Sequence, residues 1–159
     1  MDTVAHAPLD GVALEAWRSF LQSHATILRA LDADLAAGHG LTARDYEVLL
    51  YLAQADDRRL PMSALAERTM LTRSGITRLV DGLVAADLIR RVACPNDARI
   101  SYAQLTDAGY DKLRRAGCSH VASINRVFVE RFSCEELAVL AELLGRLPGA
   151  RPDGVCAIS

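Results

Sequence analysis

Aromatic residues are scarce in this chain, at 5% against 51% hydrophobic residues overall. Its core must therefore be built mainly from Leu, Val and Ala, which favours packed helices over an extensive sheet. Long apolar runs are missing too, and none approaches the roughly 18 residues that a membrane span requires. Met1–Asp10 lacks the basic start and apolar stretch of a secretory signal, so the expected location is cytoplasmic. The four cysteines, Cys94, Cys118, Cys134 and Cys156, include no CxxC pair. They are read as reduced thiols, and His6, His24, His39 and His120 are equally scattered, so neither a metal nor a cofactor is expected. No nucleophile–base arrangement or pair of carboxylates can be assembled, which argues against an enzyme. Lysine occurs once, at Lys112, so basic character rests almost wholly on arginine.

What the chain does have is an ordered run from Met62 to Leu105. A short helix, Ser63–Thr69, leads through Met70 and Leu71 into a second helix over Thr72–Ala86. Leu88–Val92 then reads as a strand, Cys94–Ala98 as a turn, and Arg99–Leu105 as the returning strand. Helix, turn, helix and hairpin in that order is the sequence form of a winged helix-turn-helix. The formal net charge of −2 does not oppose this, because a duplex meets only one face of the protein. Arg68, Arg73, Arg78, Arg90, Arg91 and Arg99 outnumber Asp81, Asp87 and Asp97 over the same stretch. The alternative is that these arginines simply solvate a surface, or that the winged unit docks an acidic protein instead of DNA.

Helical periodicity organises the two ends. Trp17, Phe20, Leu21, His24, Leu28, Leu31 and Leu35 recur at spacings of three and four, which predicts a helix over residues 11–37 stopped by Gly38 and Gly40. Thr42 and Asp45 form a capping pair for the next helix, with Leu41 and Tyr46 as its hydrophobic staple; Asp56–Arg59 closes it as a polar loop. Thr106 caps a helix over about residues 106–131, with Leu113, Val121, Ile124, Val127 and Phe128 as its apolar stripe. Ser133–Glu136 is a capping box for a last helix to about Leu147, which Pro148 and Gly149 end. The expected fold is mainly α with a small β-hairpin wing. Residues 41–105 form the winged helix-turn-helix region, residues 11–40 and 106–147 a helical dimerisation region, and 1–10 and 148–159 flexible tails. A helix of about 26 residues spans about 39 Å and cannot bury its whole stripe in so small a lobe. Its unused face points to a second copy, the alternative being helices folded back within a monomer.

The segments Thr77-Arg78-Leu-Val-Asp81-Gly-Leu83, Leu88-Ile89-Arg-Arg91, Asp97-Ala-Arg99 and Leu105-Thr106-Asp-Ala-Gly109 together resemble the MarR (multiple antibiotic resistance regulator) family of bacterial transcription factors. The resemblance covers about residues 12–147. It implies a homodimeric DNA-binding regulator, most often a repressor relieved by a small, frequently aromatic effector, and a double-stranded DNA partner carrying an inverted repeat. Within that frame Thr72 caps the recognition helix, and Gly75 lets the backbone approach the duplex. Arg73, Ser74, Thr77 and Arg78 face bases and phosphates in the major groove. Arg99 at the hairpin tip is the candidate for the minor groove, with Asp97 orienting it or simply serving the turn. Trp17, Phe20, His24 and Tyr46 are the candidates for an effector cleft, the alternative being that all four are core or interface residues. Cys94 in the wing turn is the candidate for a redox-sensing variant of the same regulator. Four positions depart from the family pattern. Met70 and Asp87 stand where glycine is usual, and Ala98 and Ile100 flank Arg99 where arginine and glycine are common. The wing is accordingly expected to grip DNA less tightly than in most relatives.

Overall fold

The computed structural model describes residues 9–94 and 100–149. Helix α1 runs over Gly11–His39, two residues beyond its expected end, and Gly38 lies inside it. Gly40 ends it instead, in the left-handed conformation (φ 62°) with its N–H bonded to the Ala36 carbonyl. Only Leu31 and Leu35 of α1 are buried, both in its C-terminal third. The next helix, α2 (Ala43–Ala53), begins at the capping box expected for Thr42 and Asp45. The carboxylate of Asp32 on α1 accepts a further hydrogen bond from the Ala43 N–H at 2.6 Å, fixing the angle between the two helices. Leu41 and Tyr46 both enter the main hydrophobic cluster, as a staple should.

The polar loop after α2 differs from expectation. Asp57 and Arg58 both take positive φ (52° and 51°), and Arg59 opens a strand, β1 (Arg59–Pro61). Helices α3 (Met62–Thr69) and α4 (Arg73–Ala85) follow, then the hairpin strands β2 (Ile89–Ala93) and β3 (Ser101–Leu105). The sheet is antiparallel in the order β1-β3-β2, with Gln104 opposite both Arg59 and Arg90. One sheet face buries Ile89, Ala103 and Leu105, where they join Leu65, Ile76, Val80 and Leu83 of α3 and α4 in a single core.

Helix α5 (Asp107–Val127) starts at Thr106, whose hydroxyl accepts from the Gly109 N–H and donates to the Asp87 carbonyl. It ends four residues before the expected boundary, because Phe128 breaks from helical geometry (φ −131°, ψ −63°) and a 3₁₀ turn over Val129–Arg131 follows. Ser123 and Arg126 of α5 both bind the Asp34 carboxylate of α1, and these contacts hold that carboxyl below its ordinary pKa. The buried residues of α5 are Gly109, Leu113, Ala116, Gly117 and Ser123; Val121, part of the apolar stripe read from the sequence, is half exposed. The last helix, α6 (Cys134–Leu144), has the expected Ser133–Glu136 capping box and not one buried residue.

Candidate nucleic-acid interface

Helix α4 is amphipathic in the sense its sequence demands. Ile76, Val80 and Leu83 are buried, while Arg73, Ser74, Thr77 and Arg78 are exposed on the opposite side. Its first turn is held by Thr72, whose hydroxyl oxygen accepts the Gly75 N–H at 3.1 Å and lies 3.2 Å from the Ser74 hydroxyl. No acidic residue occupies that turn. The positive end of the helix dipole and its free N–H groups are therefore presented without a competing carboxylate. A Cβ at Gly75 would lie 3.2 Å from the Thr72 hydroxyl and 3.7 Å from Leu71, so the missing side chain faces the cap and the turn.

The six arginines of this region divide sharply by what they already touch. Arg68 lies over the Tyr51 ring at 5.9 Å, and Arg90 donates to the Gln104 side chain at 3.1 Å. Arg91 donates to the Asp81 carboxylate at 2.7 Å. Arg73 and Arg78 form no ion pair among the described residues. Uncommitted positive charge thus concentrates on the leading turns of α4, where a phosphate or a guanine edge would meet it. Asp97 and Arg99, the residues expected at the hairpin tip, lie outside the described residues. Cys94 sits half-buried at the base of that tip, its N–H bonded to the Ile100 carbonyl.

The four residues expected to line an effector cleft do not share one environment. Trp17, Phe20 and His24 form a stacked series along α1, with ring centroids 6.3 Å and 6.2 Å apart and the Trp17 and Phe20 rings exposed. Tyr46 is buried in the core, its ring 4.4 Å from that of His120 on α5. His120 was not singled out from the sequence, although it continues the Leu113, Ala116, Gly117 stripe at helical spacing. Its Nδ1 is buried with no hydrogen-bond partner among the described residues, and burial pushes the imidazole below its ordinary pKa of 6.5. A neutral histidine at this α2–α5 contact follows from that burial.

Comparison with known proteins gives a consistent result. A profile of the MarR family matches residues 39–100. The transcriptional repressor YetL of Bacillus subtilis is 33% identical over 111 residues, which span 70% of this chain and 66% of YetL, just under two thirds of that protein's length. AbsC, a MarR family regulator from Streptomyces coelicolor, superposes with a TM-score of 0.81 at 33% identity, covering 87% of this chain and 93% of AbsC. Sco3205 from the same organism, solved in complex with DNA, superposes with a TM-score of 0.84 at 31% identity over 89% of each chain.

Proposed function

This chain belongs to the MarR family of transcriptional regulators, and from that premise we propose that it is a cytoplasmic homodimer that represses its targets by reading an inverted repeat in double-stranded DNA. The observation that carries this is the first half of α4: a capped, acid-free turn that exposes Arg73, Ser74, Thr77 and Arg78, with neither arginine in an ion pair among the described residues. Arg78 reads base edges, because an arginine bidentate to guanine discriminates by about 1–3 kcal/mol. Arg73 and the Thr72–Gly75 turn bind phosphate, and Arg99, oriented by Asp97, enters the minor groove. A two-fold pair places its recognition helices about 34 Å apart, one turn of the duplex, which sets the half-site spacing. The naming of YetL as a repressor and the DNA complex of Sco3205 support the reading.

Relief by a small aromatic effector belongs to the same proposal. The exposed Trp17, Phe20 and His24 rings can take a planar ligand, and Tyr46 with its partner His120 lies at the contact between the dimerisation helices and the reading lobe. A ligand that prefers one spacing of the two lobes shifts the population away from the DNA-binding form.

The test is recovery of bound fragments from sheared genomic DNA, followed by affinity measurements on the site found. An enriched inverted repeat is expected, with binding that weakens steeply as salt rises. Arg99→Ala should lower affinity for every sequence, whereas Arg78→Ala should also relax the preference at particular bases. No enriched repeat would overturn the reading in favour of a winged module that docks protein. Equal losses on all sequences for Arg78→Ala would remove Arg78 from the base-reading set.

A further inference from the structure

We propose that the Asp81–Arg91 ion pair is a positioning device that sets strand β2, and with it the wing, against the recognition helix; the inference rests on the DNA-binding reading given above. Asp81 lies on the exposed side of α4, one helical turn beyond Thr77 and Arg78. A carboxylate there would repel a phosphate backbone that those two residues approach. Its neutralising partner comes from the hairpin and not from α4 itself. The Arg91 guanidinium donates to Asp81 at 2.7 Å, and among the described residues this is the single side-chain hydrogen bond between α4 and strands β2 and β3.

The register shows why this bond controls the hairpin. Arg91 pairs with Ala103 across the ladder and alternates with Ile89, so it leaves the sheet on the buried face, the one that packs on α4. Ile89 anchors the base of the strand at 1% exposure, whereas Ala93, two residues beyond Arg91, is exposed. Apolar packing therefore fixes the root of the hairpin and β1 holds β3 as far as Tyr102, while among the described residues the ion pair is the outermost side-chain hydrogen bond from β2 to another element. An insertion into the minor groove requires its direction to be set in advance.

Asp81→Asn separates this role from plain electrostatics because the two predict opposite signs. The substitution keeps the shape of the side chain, removes a negative charge from the DNA-facing surface and frees a positive one. Electrostatics alone then gives tighter binding with a steeper salt dependence. A lost positioning contact gives weaker binding, by about two- to fivefold per subunit for a pair this exposed, compounding to about four- to twenty-fivefold for two subunits on one operator.

The experiment measures wild type, Asp81→Asn, Arg91→Lys and the charge swap Asp81→Arg with Arg91→Asp on one operator. Affinity, thermal midpoint and hydroxyl-radical footprint are read for each. The expected result for Asp81→Asn is weaker binding, loss of protection in the flanking minor groove, and a thermal midpoint close to wild type. Arg91→Lys, which keeps the charge pair, should recover most of the protection. An intact flanking footprint in Asp81→Asn, whatever its affinity, overturns the positioning role while leaving DNA recognition standing. Wild-type protein that binds no operator overturns the DNA-binding reading itself.

Discussion

Met70 occupies the turn between α3 and α4 with φ 53° and ψ 31°, and its side chain is 83% exposed. A left-handed backbone brings Cβ against the following carbonyl in every residue but glycine, at a cost of roughly 1–2 kcal/mol. An exposed methionine gains no packing to offset that strain. Asp87, at φ 59° before β2, is in the same conformation, although aspartate tolerates it better. At both positions the sequence departs from an expected glycine, and the departure leaves a strained left-handed residue in each turn. Met70→Gly is expected to raise stability by about 1 kcal/mol, moving the thermal midpoint up by about 2–4 °C. Asp87→Gly should gain less. Urea denaturation of the two variants checks the order, and a fall in midpoint for Met70→Gly would show that the turn is not strained.

At the scale of elements, the junction of the hairpin and α5 depends on the start of α5. A Cβ on Gly109 would lie 2.1 Å from the Leu88 carbonyl oxygen and 2.8 Å from Leu105 Cδ1. The same carbonyl accepts the Thr106 N–H at 3.1 Å, so neither backbone can withdraw without giving up the contact that joins them. Gly109→Ala should cost at least about 3 kcal/mol, at the upper end of overpacking substitutions, and lower the urea midpoint accordingly. An unchanged midpoint would mean that α5 can move away from Leu88 freely. Elements governed by such local rules were legible in the sequence. Thr42 with Asp45, Thr72, Thr106, and Ser133 with Glu136 all cap the helices expected of them, because a cap needs only residues within one turn. Strand β1 was not legible. It has three residues, one of them Pro61, and becomes a strand only by pairing with β3 more than 40 residues later. Which part of the α5 stripe faces the core was not legible for a related reason. Its contacts use the small Ala116, Gly117 and Ser123, which let α1 and α2 come close, and its large Val121 points outward. Of the candidate site, the exposed set on α4 was readable from amphipathic spacing, whereas the separation of Tyr46 from Trp17, Phe20 and His24 depends on tertiary packing against His120.

At the scale of the whole molecule, the two end helices leave most of their apolar surface uncovered. Helix α1, at 29 residues, is about 43 Å long, yet buries only Leu31 and Leu35, and α6 buries nothing. Trp17, Phe20, Leu21 and Leu28 on α1, with Val139 and Leu143 on α6, leave large apolar side chains in water. Such faces on the helices at both ends of the chain support the proposed two-fold partner, since an exposed apolar surface of this kind marks an association site. The core of the reading lobe owes nothing to α6, so charges can be placed there without unfolding it. Val139→Glu combined with Leu143→Glu is therefore expected to leave the thermal transition of the lobe in place while blocking association, because unpaired carboxylates cannot be buried in an apolar interface. Sedimentation should show a monomer. Operator affinity should fall by about a hundredfold or more, because one half-site no longer raises the effective concentration of the other. A variant that still sediments as a dimer would put the two-fold contact on a surface that excludes α6. A monomer that binds the full operator as tightly as wild type would sever dimerisation from DNA reading altogether.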